Sequence, residues 1–270
     1  MQRPDVRKNL RRGVYIVPTL FTILNIFFGF RSIVNSLRAR EAMTAGRPDL
    51  AIAAFEVACV SLLIAAIFDT FDGLIARQLG ATSEFGKEYD SLADVVTFGT
   101  APAVLVYAWG LHPLGKLGVG IAFLFLISVS LRLARFNVMT GKTDYRYFVG
   151  LPSPAGALTI AALIWYAPAP VLDRRFALVI LVLTACTAFA MVSPIRWRAQ
   201  KGLTIRQGRS LMYIVVIAAI IAIAFAWPRQ AGVVFAISYL ASGPLVRLWS
   251  IAFPPPPSNP EDVLQPAESH

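Results

Sequence analysis

Charged residues are scarce in this chain. Only 15% of its 270 residues are Asp, Glu, Lys or Arg, and 57% are apolar, whereas about 25% of the residues in an ordinary soluble domain are charged. A soluble domain of this length needs a charged surface, and long stretches of the sequence offer none. The composition therefore favours a protein that has the lipid bilayer as its solvent.

Cysteine and histidine are also rare. The two cysteines, Cys59 and Cys186, lie inside apolar runs without metal-ligand spacing, and the two histidines, His112 and His270, are far apart in the sequence. We therefore interpret the cysteines as packing residues. We expect no disulfide framework, zinc site or histidine-based site.

Long apolar runs divide the chain into eight segments, each near the length of about 20 residues that an α-helix needs to cross the hydrocarbon core. Because lipid offers no partners to backbone polar groups, such segments are expected to be helical. The sequence predicts an all-α, polytopic transmembrane helical bundle over residues 17–251, with about eight spans and six or seven left open. The segments are 17–37, 51–68, 92–111, 117–133, 155–171, 176–192, 211–227 and 232–251.

Basic residues are distributed unevenly between the two sides of such a bundle. The formal net charge is +10, and sixteen of the 25 Lys and Arg residues fall on the side that holds both termini, against seven on the other. Cytoplasmic loops carry this excess, so we expect an inner-membrane protein with cytoplasmic termini. Its partners would be membrane lipids and no nucleic acid. Residues 1–16 form a basic cytoplasmic segment that we expect to be retained, and 252–270 form a proline-rich, disordered tail.

Four aspartates lie at the facing ends of two predicted spans. Asp69 and Asp72 are three residues apart at the end of the second span, and Asp90 and Asp94 are four apart at the start of the third. These spacings place each pair on one face of its helix. A short polar turn joins the two helices, so we expect all four carboxylates to converge near the cytoplasmic membrane surface.

Converging carboxylates repel one another unless a cation compensates. Oxygen ligands favour hard divalent ions, so the cluster predicts bound Mg²⁺ or Mn²⁺. Such ions can hold a diphosphate and neutralise charge as a phosphoanhydride bond breaks, and Arg77 is placed to contact a phosphate. The alternative is four ordinary loop carboxylates facing water. Ionisable groups at membrane depth are costly and usually functional, which favours the site.

The spacing of the cluster resembles the signature of the CDP-alcohol phosphotransferase family. It reads Asp69-x₂-Asp72-Gly73-x₂-Ala76-Arg77-x₈-Gly86-x₃-Asp90-x₃-Asp94, which matches the signature without a gap. Eight fixed positions over 26 residues make this resemblance highly specific. The stretch 18–25 in the first predicted span also looks like the start of the family's sequences.

The resemblance implies a six-helix core whose active site opens to the cytoplasm, often within a homodimer. It implies that Asp69, Asp72 and Asp90 bind metal, and that Asp94 is the general base and a possible further ligand. The CDP moiety would be bound by the small or basic residues of the signature, namely Gly73, Ala76, Arg77 and Gly86.

The flanking sequence resembles one branch of that family, the membrane-integral bacterial phosphatidylserine synthases. The stretches 85–103, 131–137 and 148–155 carry this likeness. It implies CDP-diacylglycerol and L-serine as substrates, with phosphatidylserine and CMP as products. No serine, cysteine or histidine nucleophile is apparent in the sequence, so we expect direct in-line transfer without a covalent intermediate. The serine carboxylate needs a cation, for which Arg132 and Arg135 are candidates, as they are for the lipid phosphate or for simple membrane anchoring. Asn137 is a further candidate for this polar pocket.

Other functions are also consistent with the sequence. The acceptor alcohol of the same family can be choline, inositol or glycerol phosphate, or the lipid can be an ether lipid that yields archaetidylserine. From a different class, an acidic intramembrane site can serve an ion-coupled transporter. A transporter would favour acids at mid-bilayer and an inverted repeat, and the sequence shows neither.

Overall fold

The polypeptide folds into long helices, as the apolar runs predict. In the computed structural model, residues 6–78, 83–139, 147–194, 196–198 and 225–252 are described. The helices are α1 (Val6–Thr44), α2 (Pro48–Gln78), α3 (Glu84–Leu114), α4 (Lys116–Met139), α5 (Ser153–Tyr166), α6 (Arg174–Val192) and α7 (Pro228–Ala252). Two three-residue strands, β1 (Tyr147–Val149) and β2 (Arg196–Arg198), pair in antiparallel register.

Five of these helices are long and apolar enough to cross a membrane. The spanning stretches are Thr19–Thr44, Pro48–Ile75, Glu84–Leu114, Lys116–Val138 and Arg174–Val192. This confirms the prediction of a polytopic all-α bundle. The predicted segment 211–227 lies outside the described residues except for its last three positions. The predicted segment 232–251 is helical within α7, and the count of eight spans stays a prediction.

The fifth predicted segment, 155–171, extends too far. Its helix, α5, ends at Tyr166 and has 14 residues, which corresponds to a length of about 21 Å, against a hydrocarbon core of about 30 Å. Pro168 and Pro170 follow directly. Proline lacks the N–H that a helix needs and disfavours helical geometry in the residue before it. The predicted segment was too long because the residues after Tyr166 are apolar, and an average hydropathy does not register that prolines among them end the helix.

The helices that carry the aspartates extend beyond their apolar windows. α2 continues to Gln78, and α3 begins at Glu84 rather than near Leu92. Ser83 has extended backbone angles and its hydroxyl accepts a hydrogen bond from the N–H of Gly86 at 3.0 Å, so that it caps α3. All four aspartates are therefore held on regular helix rather than on a loop.

α3 changes its winding directly after Asp94. Residues Val95–Thr100 form a π-helical turn and Ala101–Val106 return to α-helix, which contains Pro102. A proline in a helix removes one backbone donor and collides with the carbonyl one turn earlier. Widening the preceding turn to π geometry accommodates this defect.

α1 and α2 form a helical hairpin that supports the rest of the bundle. Gly46, with φ of +70°, closes their connection, where Arg47 N–H donates to the carbonyl of Ala42. α1 also packs closely on the π-helical turn of α3. A Cβ on Gly29 would lie 2.5 Å from Thr97 Oγ1 and 2.9 Å from Thr97 Cα, and Thr97 Oγ1 donates to the carbonyl of Asn25 at 3.3 Å.

The last described helix, α7, packs on α5. Near its start, Arg229 forms a 2.7 Å ion pair with Glu56 of α2 and lies over the Trp165 ring of α5, 5.9 Å from its centroid. A carboxylate within an apolar span is costly unless it is paired. The pair therefore satisfies Glu56 and attaches α7 to the body of the bundle.

Gly29→Ala tests the close approach of α1 to α3. The new methyl group would meet the backbone of Thr97, and overpacking of this kind costs about 1–3 kcal/mol. We expect a lower midpoint of thermal unfolding for the purified protein in detergent. Gly120→Ala on α4 is the matched control, because a Cβ there meets nothing within 4 Å. Equal midpoints for the two variants would contradict the close packing.

Candidate active site

The aspartates of α2 and α3 converge, as their spacing predicts. Asp69, Asp72 and Asp90 each offer a carboxylate oxygen, and these three oxygen atoms lie within 4.8 Å of one another. Asp94 lies one helical turn after Asp90 on α3 and is more buried than Asp90, with 9% of its surface exposed. Its carboxyl group is within hydrogen-bonding contact of that of Asp69. The four carboxyl groups thus form one cluster.

Two oxygen atoms in the cluster lack hydrogen-bond donors among the described residues. Asp90 Oδ1 and Asp94 Oδ1 are both buried, and no described residue donates a hydrogen bond to either. A buried carboxylate oxygen without a donor is unfavourable. Carboxylate oxygens at this mutual distance are the ligands that hard divalent cations prefer. The cluster can therefore hold a divalent metal ion, and Asp69, Asp72 and Asp90 are the residues placed to bind it.

α1 contributes a residue that sequence reasoning missed. Thr22 Oγ1 donates a 3.1 Å hydrogen bond to Asp72 Oδ2, and both side chains are buried, with 5% and 6% exposed. A buried donor of this kind fixes the orientation of a potential metal ligand. The family-like stretch 18–25 contained the signal, but nothing in one sequence indicates which helix α1 faces.

Arg132 approaches the cluster from α4. Its guanidinium lies close enough to Asp94 for the two charges to interact, and its Nη1 atom donates to Ser153 Oγ at the start of α5 at 2.9 Å. Its Nε atom is buried without a partner among the described residues. The Ser153 contact was not predicted, since residues 132 and 153 lie on different helices.

The other two predicted acceptor-pocket residues have different surroundings. Arg135 Nη1 donates to the carbonyl of Val192 at 3.2 Å. Asn137 Nδ2 donates to Ser91 Oγ at 2.9 Å, which connects the end of α4 to α3 between Asp90 and Asp94. Their proposed role in binding the acceptor stays a prediction.

The predicted CDP-binding residues lie near the end of α2 and the start of α3, as the aspartates do. Gly73 is partly buried directly after Asp72 on α2, and Ala76 and Arg77 follow on that helix, where their side chains lie outside what is described. Gly86 lies in the first turn of α3, where its N–H donates to Ser83 Oγ. A Cβ on Gly86 would lie 3.0 Å from that oxygen, so glycine suits the cap. A contact of these residues with CDP stays a prediction.

A family model described as CDP-alcohol phosphatidyltransferase matches residues 15–192, which is more than half of the chain. The chain belongs to the CDP-alcohol phosphatidyltransferase family. The resemblance read from the aspartate signature is thereby confirmed. The family match ends with the last residue of α6, so that α7 lies beyond it.

Similar curated proteins carry the names of serine-transferring members of the family. The CDP-diacylglycerol–serine O-phosphatidyltransferase of Helicobacter pylori is 37% identical over 147 residues, covering 54% of this chain and 56% of that protein. The protein of the same name from Mycobacterium leprae is 40% identical over 167 residues, covering 58% of this chain and 50% of that protein. The archaetidylserine synthase of Methanothermobacter thermautotrophicus is 35% identical over 148 residues, covering 54% of this chain and 56% of that protein. The chain spans about half the length of these relatives.

Removing one carboxylate should weaken metal binding. We expect Asp72→Asn and Asp90→Asn each to lower the affinity for Mn²⁺ by about tenfold or more, because each loses a charged ligand. The measurement is electron paramagnetic resonance of free Mn²⁺ during titration of the detergent-solubilised protein without substrate. Asp49→Asn is the control, since Asp49 is exposed at the other end of α2. Unchanged affinity in both site variants would exclude these aspartates as ligands.

Thr22→Val tests the hydrogen bond from α1. The substitution keeps the shape of the side chain and removes the donor to Asp72, so we expect about tenfold weaker Mn²⁺ binding in the same titration. Thr44→Val makes the same chemical change at the exposed end of α1 and should leave the affinity unaltered. If the two valine variants bind Mn²⁺ equally well, Thr22 does not orient a ligand.

Proposed function

We propose that the protein transfers the phosphatidyl group of CDP-diacylglycerol to the hydroxyl group of L-serine, giving phosphatidylserine and CMP. The observation that carries the proposal is the cluster of Asp69, Asp72 and Asp90, with Asp94 adjoining it, in which two buried oxygen atoms receive no hydrogen bond from any described residue. The names of the similar proteins in Helicobacter pylori and Mycobacterium leprae support serine as the acceptor.

Asp94 is suited to be the general base. It is buried, and its Oδ1 atom is available because no described residue donates to it. In the proposed reaction this carboxylate takes the proton of the serine hydroxyl while the serine oxygen attacks the phosphorus that carries the diacylglycerol. The new bond is serine O–P, and the bond that breaks joins this phosphorus to the oxygen bridging to CMP. CMP leaves with that oxygen.

Asp69, Asp72 and Asp90 would hold a divalent ion, Mg²⁺ or Mn²⁺, which when bound neutralises charge on the diphosphate. Thr22 holds the Asp72 carboxylate in place from α1. Gly73, Ala76, Arg77 and Gly86 would bind the CDP moiety. Direct transfer with one displacement inverts the configuration at phosphorus, so a chiral phosphate in the substrate distinguishes it from a covalent intermediate.

The aspartates lie where α2 ends and α3 begins, which is the side with the excess of basic residues. By the positive-inside rule this is the cytoplasmic side, so we propose a multi-pass protein of the cytoplasmic membrane with its site open to the cytoplasm. The homodimer expected from the family resemblance is part of the same proposal.

A second candidate function differs only in the lipid. The similar protein of Methanothermobacter thermautotrophicus is named an archaetidylserine synthase, which favours a CDP-activated ether lipid as an alternative donor. An ion-coupled transporter is not favoured, because the chain belongs to a transferase family and its acids lie at one end of the bundle. Choline, inositol and glycerol phosphate remain alternative acceptors to be compared directly with serine.

Purified protein in detergent should convert radiolabelled L-serine to labelled phosphatidylserine when CDP-diacylglycerol and Mn²⁺ or Mg²⁺ are present. Asp94→Asn should lower kcat by about 100-fold or more, because the base is lost. Glu88→Gln is the control, since Glu88 is an exposed acid on the same helix. Chelation of the metal should abolish the reaction.

The result also separates the alternatives. CMP release with another alcohol but not with serine would make the acceptor wrong and leave the family chemistry intact. A faster reaction with a CDP-activated ether lipid would favour the archaetidylserine alternative. Full activity of Asp94→Asn would exclude Asp94 as the base.

A further inference from the structure

Asn25 on α1 is a buried amide whose hydrogen-bonding groups are unused. Its side chain is 0% exposed, and neither Oδ1 nor Nδ2 has a hydrogen-bond partner among the described residues. A carboxamide offers two N–H donors and an acceptor oxygen, and burying these groups without partners costs free energy. Asn35, farther along the same helix, is also buried but donates to the carbonyl of Arg31 at 2.8 Å. The helix itself therefore satisfies Asn35 and leaves Asn25 without a partner.

The packing of α1 on α2 places Asn25 at the level of Asp69. The two helices form an antiparallel hairpin in which Thr22 contacts Asp72. Asn25 lies three residues after Thr22, and Asp69 lies three residues before Asp72, so both are displaced by about 4.5 Å in the same direction along the hairpin. Ring contacts lie on either side of this level, at centroid distances of 6.3 Å and 5.6 Å, and they join Phe21 to Phe71 and Phe28 to Phe68.

The same residue also lies against α3. Thr97 Oγ1 donates to the backbone carbonyl of Asn25 at 3.3 Å, and Thr97 is fully buried. Thr97 is three residues after Asp94 in the π-helical turn. Asn25 is therefore held between α2 and α3, about one helical turn from Asp94.

The Asn25 side chain is directed toward the aspartates. Thr22 and Gly29, through which α1 contacts Asp72 and Thr97, lie three residues before and four residues after Asn25. These spacings place all three residues of α1 on one helix face. Bonds from Cα to Cβ tilt toward the N-terminus of a helix, so the carboxamide leans toward Thr22 and the carboxylate cluster.

We propose that Asn25 is a further residue of the metal site, whose carboxamide oxygen accepts a hydrogen bond from a water molecule that the divalent ion carries. This inference rests on the metal site of the proposed function. Mg²⁺ and Mn²⁺ usually keep several water ligands when they bind to proteins. Such a water supplies the donor that Oδ1 lacks, and the carboxylate oxygens of the cluster are acceptors of the kind that the N–H groups need.

A neutral oxygen suits this position better than another acid. The four carboxylates already repel one another in the metal-free protein, and a carboxamide adds a polar contact for the hydrated ion without adding charge. α1 would thus contribute two neutral residues to the site, since Thr22 orients Asp72 and Asn25 orients the water of the ion. Partners of this kind fix the geometry of a metal site from outside its ligands.

The first test is Mn²⁺ binding to Asn25→Leu and Asn25→Ala, measured by electron paramagnetic resonance of free Mn²⁺ during titration of the full chain in detergent without substrate. We expect the dissociation constant for Mn²⁺ to rise about tenfold in both variants, as for the loss of other outer partners of a bound metal. Equal affinity in Asn25→Ala and the wild type would overturn the proposal. If Asn25→Leu fails to fold, Asn25→Ala, which only removes atoms, decides.

A second readout distinguishes metal binding from packing. A fixed concentration of Mn²⁺ should raise the midpoint of thermal unfolding less in the Asn25 variants than in the wild type, because stabilisation by a ligand depends on its affinity. A residue that only packs would lower the midpoints with and without Mn²⁺ equally. An unchanged Mn²⁺-induced rise in Asn25→Ala would therefore contradict the proposal.

Asn35→Leu and Ser32→Ala are matched controls on the same helix. Asn35 uses its amide on α1 itself. The Ser32 hydroxyl is buried without a partner among the described residues, as Asn25 is, but it lies two helical turns farther from the cluster. Both controls should bind Mn²⁺ as the wild type does. A loss in Ser32→Ala as large as in Asn25→Ala would mean that any disturbance of this helix face weakens the site, which overturns the specific role of Asn25.

The outcomes also separate this inference from the proposed function. If the wild-type protein binds Mn²⁺ and Asn25→Ala binds it equally well, the inference alone is wrong. If the wild-type protein binds no Mn²⁺, the metal site of the proposed function is wrong and the inference falls with it.

Discussion

The mutual repulsion of four carboxylates in a bilayer-embedded bundle is the constraint on which the rest of this structure depends. Oxygen atoms of three of them lie within 4.8 Å of one another, and at an effective dielectric constant of about 20 a pair of charges at this distance repels by roughly 3 kcal/mol. The protein partly compensates with Arg132 and with the hydroxyl of Thr22. The oxygen atoms to which no described residue donates leave the cluster able to hold a divalent cation.

α1 makes this arrangement rigid. The helix presents a buried polar face toward α2 and α3, on which Thr22 orients Asp72, and the Asn25 backbone accepts a hydrogen bond from Thr97. The absence of a side chain on Gly29 lets α1 approach the π-helical turn that follows Asp94. The geometry of the carboxylates is therefore controlled by a helix that contributes no carboxylate of its own. Supporting residues of this kind hold ligands to the geometry that chemistry needs.

The signature carboxylates and the arginine of α4 lie on different helices. The family signature lies on α2 and α3, whereas Arg132 and its hydrogen-bond partner Ser153 lie on α4 and α5. Transfer chemistry common to a family needs the same carboxylates throughout, and the choice of acceptor depends on what surrounds them.

The sequence by itself determined the fold class, the family and the carboxylate cluster, because hydropathy and helical spacing are local properties. Asp69, Asp72, Asp90 and Asp94 needed only their spacing and one short turn to be brought together. Contacts between distant segments were decided by tertiary packing alone: Thr22 on Asp72, and Ser153 on Arg132. Local pattern does not encode which face of one helix meets another. The start of α3 and the end of α5 were also predicted wrongly. Each is set by a few single residues, namely the cap Ser83 and the prolines after α5, whereas hydropathy is averaged over many residues.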